Sequence, residues 1–153
     1  MSVKQEYATT VKKRTGMIQD EVKTSKRLQR MDACPFCSIH AGDILDENEY
    51  AFAVRDRCPV SEGHTLIITR RHVDDYFQLS KEERDGALAL LEKMKKTIDR
   101  EFNPDGYNIG MNIGEAAGQK IFHVHIHLIP RTKGASGVPR GSVKGVIRHM
   151  MSY

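Results

Sequence analysis

Three of the chain's seven histidines, His123, His125 and His127, occupy every second position of one short apolar segment. If that segment is a β-strand, the three imidazoles point to one face and lie about 6–7 Å apart in succession. A neutral imidazole can attack phosphorus and leave again, which divides one difficult displacement into two easier steps. Neighbouring imidazoles can orient it or donate hydrogen bonds to phosphate oxygens. The spacing predicts a catalytic site; the alternatives are partly buried, internally hydrogen-bonded histidines and a metal cluster that uses all three.

Two of the chain's three cysteines, Cys34 and Cys37, form a C-x-x-C motif before the first apolar segment. Three cysteines are too few for a disulfide scaffold, and this spacing suits a metal site or a redox pair. A thioredoxin-like redox role requires a neighbouring βαβ pattern, which the sequence lacks. A closed zinc site needs four ligands, and His72 and His123 are further candidates nearby. A reduced, metal-free pair is the alternative.

Apolar patterns predict four strands and one long helix around these residues. The helix follows Ser80, which can form a capping box with Glu83, and its apolar residues recur at helical spacing as far as Phe102. The predicted strands are β-branched or apolar segments bounded by Gly and Pro, at residues 50–54, 64–69, 107–114 and 121–129. The order strand–strand–helix–strand–strand favours an α+β domain with an antiparallel sheet.

The positive charge of the chain is concentrated near its N-terminus. Residues 1–32 contain eight Lys/Arg and four Asp/Glu, which accounts for the net charge of +4, whereas residues 33–153 contain 16 of each. We predict a basic arm over 1–32, partly helical at most, and a domain over 33–153 whose tail is 131–153. The arm could bind a polyanion, but its cations alternate with acidic and polar residues, which favours a solvated leader.

Length and hydropathy limit the class of protein. A chain of 153 residues suffices for one domain with a core. No apolar run approaches the roughly 18–20 residues of a membrane helix, and the N-terminus lacks the apolar core of a signal peptide. We therefore expect a cytoplasmic protein without a membrane partner. A zinc-dependent nucleic-acid module is disfavoured, because the domain is charge-balanced and no aromatic stacking set accompanies the cysteines.

The segment "HVHIHLI" resembles the H-x-H-x-H-x-x signature of the histidine triad (HIT) superfamily of nucleotide hydrolases and transferases, in which x is apolar. The resemblance covers about residues 33–130 and includes "GHTLII", the long helix and "MNIGEAAGQ". It implies an α+β fold with a meandering antiparallel sheet and one long helix, usually assembled as a homodimer. It also implies a role for each residue that matches the family pattern.

By position, His125 matches the family nucleophile that takes up the nucleotidyl group. His127 matches the histidine that contacts phosphate oxygens, and His64 matches a fourth histidine that orients the surroundings of the nucleophile. Asp56 matches the acceptor for the ribose hydroxyls, which suits a carboxylate because it can accept two hydrogen bonds. The further matching positions are Asn112, Gly118 and Gln119 for phosphate, and Phe36, Ile39 and Val54 for the base.

Lys120 departs from the family pattern, because relatives usually carry Ser or Thr at this position. That hydroxyl would bond the scissile or leaving-group oxygen. Lysine would supply a charge instead, which suits a polyphosphate leaving group, or it would point to solvent. The leaving group and the final acceptor, water or phosphate, are therefore left open by the sequence.

The resemblance to the zinc-containing bacterial branch of the family also implies a metal. In that branch the ligands are the C-x-x-C pair, a histidine eight residues after the "GHT" histidine, and the first triad histidine. The matching residues here are Cys34, Cys37, His72 and His123. We expect one structural zinc per chain and no organic cofactor.

The tail is similar to that of family members resembling diadenosine polyphosphate hydrolases. Its Arg140, Lys144 and Arg148 would meet extra phosphates or a partner subunit; the alternative is a surface tail ordered by the dimer. The expected activity is cleavage at the α-phosphate of a nucleoside 5′-phosphate derivative, a dinucleoside polyphosphate or a phosphoramidate, with adenine as the base. A nucleotide-binding interaction protein with incidental hydrolysis is the alternative.

Overall fold

The computed structural model describes residues 34–134. The predicted arm, residues 1–32, and the part of the tail from 135 onward, with Arg140, Lys144 and Arg148, lie outside the described residues, so the predictions about them stay predictions. Every strand and helix given below lies in a compact unit that begins at Ser38. The described residues before it, 34–37, form a turn in which the Cys37 N–H donates to the Cys34 carbonyl over 3.1 Å.

Among the described residues, five strands form one antiparallel sheet in the order β1–β2–β3–β5–β4. The first three strands follow one another as a meander, and β5 then inserts between β3 and β4. This arrangement confirms the predicted antiparallel α+β fold. The strand bounds are β1 Ile44–Glu47, β2 Ala51–Arg55, β3 Thr65–Thr69, β4 Gly106–Gly110 and β5 His125–Arg131.

The long helix, α1, spans Lys81–Phe102 and begins with the predicted capping box between Ser80 and Glu83. It ends at Asn103, whose φ of 45° places it in the left-handed region that stops a helix. Its buried face packs against β2, β3 and β5, and the shared core is Ala51, Ala53, Ile67, Ala87, Leu90, Leu91, Met94, Ile98, Ile126 and Leu128. Within the described residues no helix is long and apolar enough to cross a membrane.

The sheet departs from the predicted strands at three places. β1 was not predicted, because its sequence, Ile-Leu-Asp-Glu, lacks the β-branched run that marks a strand. β4 is shorter than the predicted strand at 107–114, and a loop with a single 3-10 turn, Glu115–Ala117, follows it. β5 begins at His125, four residues later than predicted, because Val124 instead donates to the Val73 carbonyl.

Candidate active site

Two of the triad imidazoles lie side by side on the face of the sheet that α1 does not cover. The register of β3 and β5 sets His125 opposite Ile68 and His127 opposite Leu66, and directly opposed residues share a face. The intervening Ile126 belongs to the core beneath α1. The ring centroids of His125 and His127 are 5.1 Å apart. The imidazoles therefore stand beside buried aliphatic side chains.

The His125 ring is held in one tautomer by a backbone carbonyl. Its Nδ1 lies 2.7 Å from the carbonyl oxygen of His123, and a carbonyl can only accept, so Nδ1 carries the hydrogen. Burial lowers the pKa of His125, and the bond to His123 and the charge of Asp56 only partly oppose this effect. The side chain is therefore a neutral imidazole whose Nε2 keeps a lone pair, which is the nucleophilic form.

Asp56, His64 and His127 form a connected group beside His125. The His64 Nε2 lies 3.0 Å from the His127 Nδ1, and the His64 Nδ1 lies 3.4 Å from an Asp56 carboxylate oxygen. Burial lowers the pKa of His64, whereas the Asp56 charge raises it. Burial, together with the charges of His125 and His64, lowers the pKa of His127 to about 4. Both rings are neutral near pH 7 and share one hydrogen between their facing nitrogens.

The β2–β3 hairpin brings Asp56 and His64 together. Asp56 follows β2, and its N–H donates to the His64 carbonyl over 2.9 Å, immediately before β3. The turn needs Gly63, which has a φ of 80° and whose missing Cβ would meet Phe102 and Pro130 at about 3 Å. The Cys58 N–H donates to the other Asp56 oxygen over 2.8 Å, which fixes the carboxylate further.

The predicted phosphate loop is a compact turn between β4 and β5. Its Gly118 N–H donates to Glu115 and the Gln119 N–H donates to Gly114, so both of these backbone donors are engaged inside the loop. Gly118 has a φ of 82°, and a Cβ there would lie 3.1 Å from the Asn112 side-chain nitrogen. The glycine thus brings the Asn112 amide against the loop, where it is a donor suited to phosphate.

Gln119 is buried, at 4% exposure, and its side chain bonds to backbone groups on both sides. Its Oε1 accepts from the Gly114 N–H over 2.7 Å, and its Nε2 donates to the Asp74 carbonyl over 2.8 Å. The neighbouring Lys120 is exposed. A direct contact of Gln119 or Lys120 with phosphate stays a prediction.

Of the three residues predicted to contact the base, only Val54 lies on a strand of the sheet. Val54 is buried on β2 opposite Leu66, which in turn lies opposite His127, so these three residues form one row across the sheet. Phe36 is buried and Ile39 is half-buried before β1. Val54 is therefore placed on the face of the imidazoles, and the roles of Phe36 and Ile39 stay predictions.

The first triad histidine differs from its two neighbours. His123 precedes β5, its ring lies 4.9 Å from that of His72 in an edge-on arrangement, and its Nε2 is 2.7 Å from the Thr69 carbonyl oxygen. Nε2 therefore carries the hydrogen and Nδ1 keeps a lone pair. Burial lowers the pKa of His123 to about 4, so the ring is neutral. A neutral imidazole bonded through its other nitrogen to a carbonyl is the form that ligates metals.

The predicted zinc ligands include this histidine. They combine two cysteines, Cys34 and Cys37, with two histidines, His72 and His123. Two sulfurs and two imidazoles are a donor set of structural zinc sites. Burial, together with the hydrogen bond and charge of Cys34, raises the pKa of the Cys37 thiol to about 11. A bound cation would reverse that effect, because a coordinating thiol loses its proton.

Three determinants of the site carry no signal in the sequence. The carbonyls of Thr69 and His123 orient the two neighbouring imidazoles, and the Asp74 carbonyl anchors Gln119. Every residue has a backbone carbonyl, so the residue types do not identify these three carbonyls as determinants. They are identified only once the fold brings the segments together.

Comparison with known proteins identifies the family of this chain. The HIT domain family matches residues 40–134. The chain belongs to the HIT family. That stretch contains the five described strands, α1, and His64, His125 and His127.

Relatives named for an activity are hydrolases. An adenosine 5′-monophosphoramidase of Schizosaccharomyces pombe is 36% identical over 71% of this chain and 82% of its own length. A bis(5′-adenosyl)-triphosphatase of Dictyostelium discoideum is 35% identical over 62% of this chain and 64% of its own length.

Solved structures of the family share the fold. A HIT family protein of Bacillus anthracis is 38% identical, has a TM-score of 0.64, and matches over 74% of this chain and 85% of its own. A Zn-bound histidine triad family protein of Mycobacterium smegmatis is 30% identical, with a TM-score of 0.62 over 79% of this chain and 92% of its own.

Proposed function

We propose that this protein is a nucleotidyl hydrolase or transferase that cleaves at the α-phosphate of nucleoside 5′-phosphate derivatives through a covalent His125–nucleotidyl intermediate. The observation that carries the proposal is the bond from the His125 Nδ1–H to the His123 carbonyl, since it leaves the lone pair on Nε2. The relatives named as a monophosphoramidase and an adenosyl triphosphatase support the reaction class.

In the first step the Nε2 lone pair of His125 forms a bond to the α-phosphorus, and the bond from phosphorus to the leaving oxygen or nitrogen breaks. An amine leaving group takes a proton from solvent water as it departs, whereas a polyphosphate departs as the anion. His127 lies beside His125 and would donate a hydrogen bond to a phosphate oxygen. His64 would orient the His127 ring through the hydrogen bond between the His64 Nε2 and the His127 Nδ1. In the second step the oxygen of water or of phosphate attacks the phosphorus, the N–P bond breaks, and Nε2 recovers its lone pair; an attacking water releases its proton to solvent.

The other binding roles follow the layout of the site. Asn112, brought to the loop by Gly118, and the exposed Lys120 would contact the phosphates. Asp56 would accept hydrogen bonds from the ribose hydroxyls, and Val54, with Phe36 and Ile39, would contact the base. Adenine is the proposed base, because the two relatives named by activity act on adenosine compounds. We further propose that the protein is a homodimer in the cytoplasm.

A zinc ion held by Cys34, Cys37, His72 and His123 completes the proposal. Its donor set is a structural one with four protein ligands, so the metal would supply a cross-link rather than a catalytic water. The Zn-bound relative of Mycobacterium smegmatis supports the presence of zinc in this family. The chemistry stays with the imidazoles on β5.

The test is turnover of a diadenosine polyphosphate series and of adenosine 5′-phosphoramidate by the protein and by His125→Ala. We expect the substitution to lower kcat by at least about 10³-fold, because it removes the nucleophile. Protein denatured rapidly at alkaline pH should carry the mass of one nucleotidyl group, because the P–N bond to histidine survives in base and is hydrolysed in acid. His40→Ala is the matched control, since His40 is exposed and its side chain accepts from the nearby Gly42 N–H, away from the imidazoles on β5.

Turnover that survives in His125→Ala would exclude the covalent mechanism. Tight nucleotide binding without turnover of any compound in the series would favour a nucleotide-binding interaction protein.

A further inference from the structure

The buried carboxamide of Gln119 joins two segments that are far apart in sequence. The Gly114 N–H donates to its Oε1 over 2.7 Å, and its Nε2 donates to the Asp74 carbonyl over 2.8 Å. At 4% exposure, the side chain is shielded from water that could replace either bond. The loop that follows β4 is thereby fastened to the segment that follows β3.

That second segment also contacts the strand of the nucleophile. The Val124 N–H donates to the Val73 carbonyl over 2.7 Å, and the Thr69 N–H donates to the Val124 carbonyl over 3.2 Å. Val124 directly precedes His125. A continuous path of backbone bonds and one carboxamide therefore runs from Gly114 to the residue beside the nucleophile.

We propose that Gln119 is a positioning residue, whose carboxamide fixes the phosphate loop at a set distance from His125 rather than binding the phosphate itself. The proposal rests on the proposed function and deepens it. Both hydrogen-bonding ends of the side chain are engaged by backbone, so a phosphate contact would break one of them. Loss of the bridge removes no group that touches substrate, but it lets the loop, with Asn112 and Lys120, shift relative to the His125 Nε2.

The experiment compares the full chain with Gln119→Met, which keeps the length of the side chain and removes both hydrogen bonds. We expect kcat to fall by about 10–100-fold, because small misplacements of a bound group cost rates of this order. KM should change by less than about threefold. The loss should be the same for adenosine 5′-phosphoramidate and for diadenosine tetraphosphate, since Gln119 does not touch the leaving group. Gln78→Met, the same change at an exposed glutamine, is the matched control.

Gln119→Glu is the conservative variant. A protonated carboxyl can accept from the Gly114 N–H and donate to the Asp74 carbonyl, whereas a carboxylate can only accept. The activity of Gln119→Glu relative to the unsubstituted protein should therefore rise as the pH falls, while the corresponding ratio for Gln119→Met should stay flat. A purely structural defect would not produce this difference.

Amide exchange of Gly114 tests the bridge independently of turnover. We expect faster exchange of that N–H in Gln119→Met. An unchanged Gly114 exchange rate, an unchanged kcat, or a loss confined to KM or to one leaving group would overturn the positioning role. Lack of turnover by the unsubstituted protein would instead reject the proposed function, and the exchange measurement would still decide whether the bridge exists.

Discussion

Two histidines of the triad, His123 and His125, are each set in one tautomer by the carbonyl that accepts the ring hydrogen. His123 donates its Nε2–H to the Thr69 carbonyl and keeps a lone pair on Nδ1. His125 donates its Nδ1–H to the His123 carbonyl and keeps a lone pair on Nε2. Residues of one type, two positions apart, thus present opposite nitrogens. The sequence predicts that these histidines are functional, but it cannot predict which nitrogen each one offers.

Neutral buried imidazoles make the stability of the protein depend on pH. Burial holds the pKa of His127 at about 4, against an ordinary value of 6.5, and lowers that of His64 in the same direction. Between these values the unfolded chain binds more protons than the folded chain, so the free energy of unfolding falls as the pH falls from 6.5 toward 4. We expect urea unfolding to show this loss, and to show a smaller loss in His127→Asn.

An equal loss in the unsubstituted protein and in His127→Asn would contradict that assignment, because the titrating group would then be elsewhere. Catalysis by the folded protein should weaken only as the pH approaches about 4, because the folded His127 keeps its neutral ring until then.

Most of the secondary structure could be predicted at the scale of single elements. The capping box at Ser80 and the helical spacing that follows predict α1, an apolar segment predicts β2, and a β-branched run predicts β3. Such signals are local, so they survive without tertiary information. β1 and the late start of β5 were missed, because both are decided by pairing with distant segments: β1 with β2, and Val124 with Val73.

The loop between β4 and β5 should be sensitive to one added methyl group. Gly118→Ala forces a φ of 82° on a residue with a Cβ and sets that Cβ 3.1 Å from the Asn112 amide. The left-handed conformation alone costs roughly 1–2 kcal/mol. We expect urea unfolding to show a loss of about that size, together with a raised KM.

The matched control is Gly110→Ala. Gly110 lies at the end of β4, and a Cβ there would meet nothing within 4 Å. Equal stability of the two variants would show that neither the left-handed turn nor the Asn112 contact constrains the loop.

For the molecule as a whole, the zinc proposal predicts a dependence of folding on metal. The four ligands extend along the chain from Cys34 to His123, so one ion would cross-link segments far apart in sequence. We expect elemental analysis to find one zinc per chain and a strong chelator to lower the Tm. Cys37→Ser should lose the metal, whereas Cys58→Ser should retain it, because Cys58 is exposed and outside the ligand group.

A metal-free protein whose Tm is unaffected by Cys37→Ser would reject the site.

The C-x-x-C motif made a metal predictable, and the family resemblance supplied the two histidines. The pairing register of β3 and β5 could not be predicted from any local pattern, because Ile68 and His125 are separated by more than a third of the chain.

The pairing of Ile68 with His125 and of Leu66 with His127 also sets what kinds of genetic change this protein can accept. Because side chains alternate across a strand, inserting or deleting a single codon between His125 and His127 would put the two imidazoles on opposite faces of β5, one of them toward the apolar layer under α1. Point substitutions along this stretch alter the site by degrees, whereas a change of length by one removes it entirely. Loops of such a protein can change in length during evolution, whereas the spacing from His125 to Leu128 is fixed by the alternation of side chains along β5.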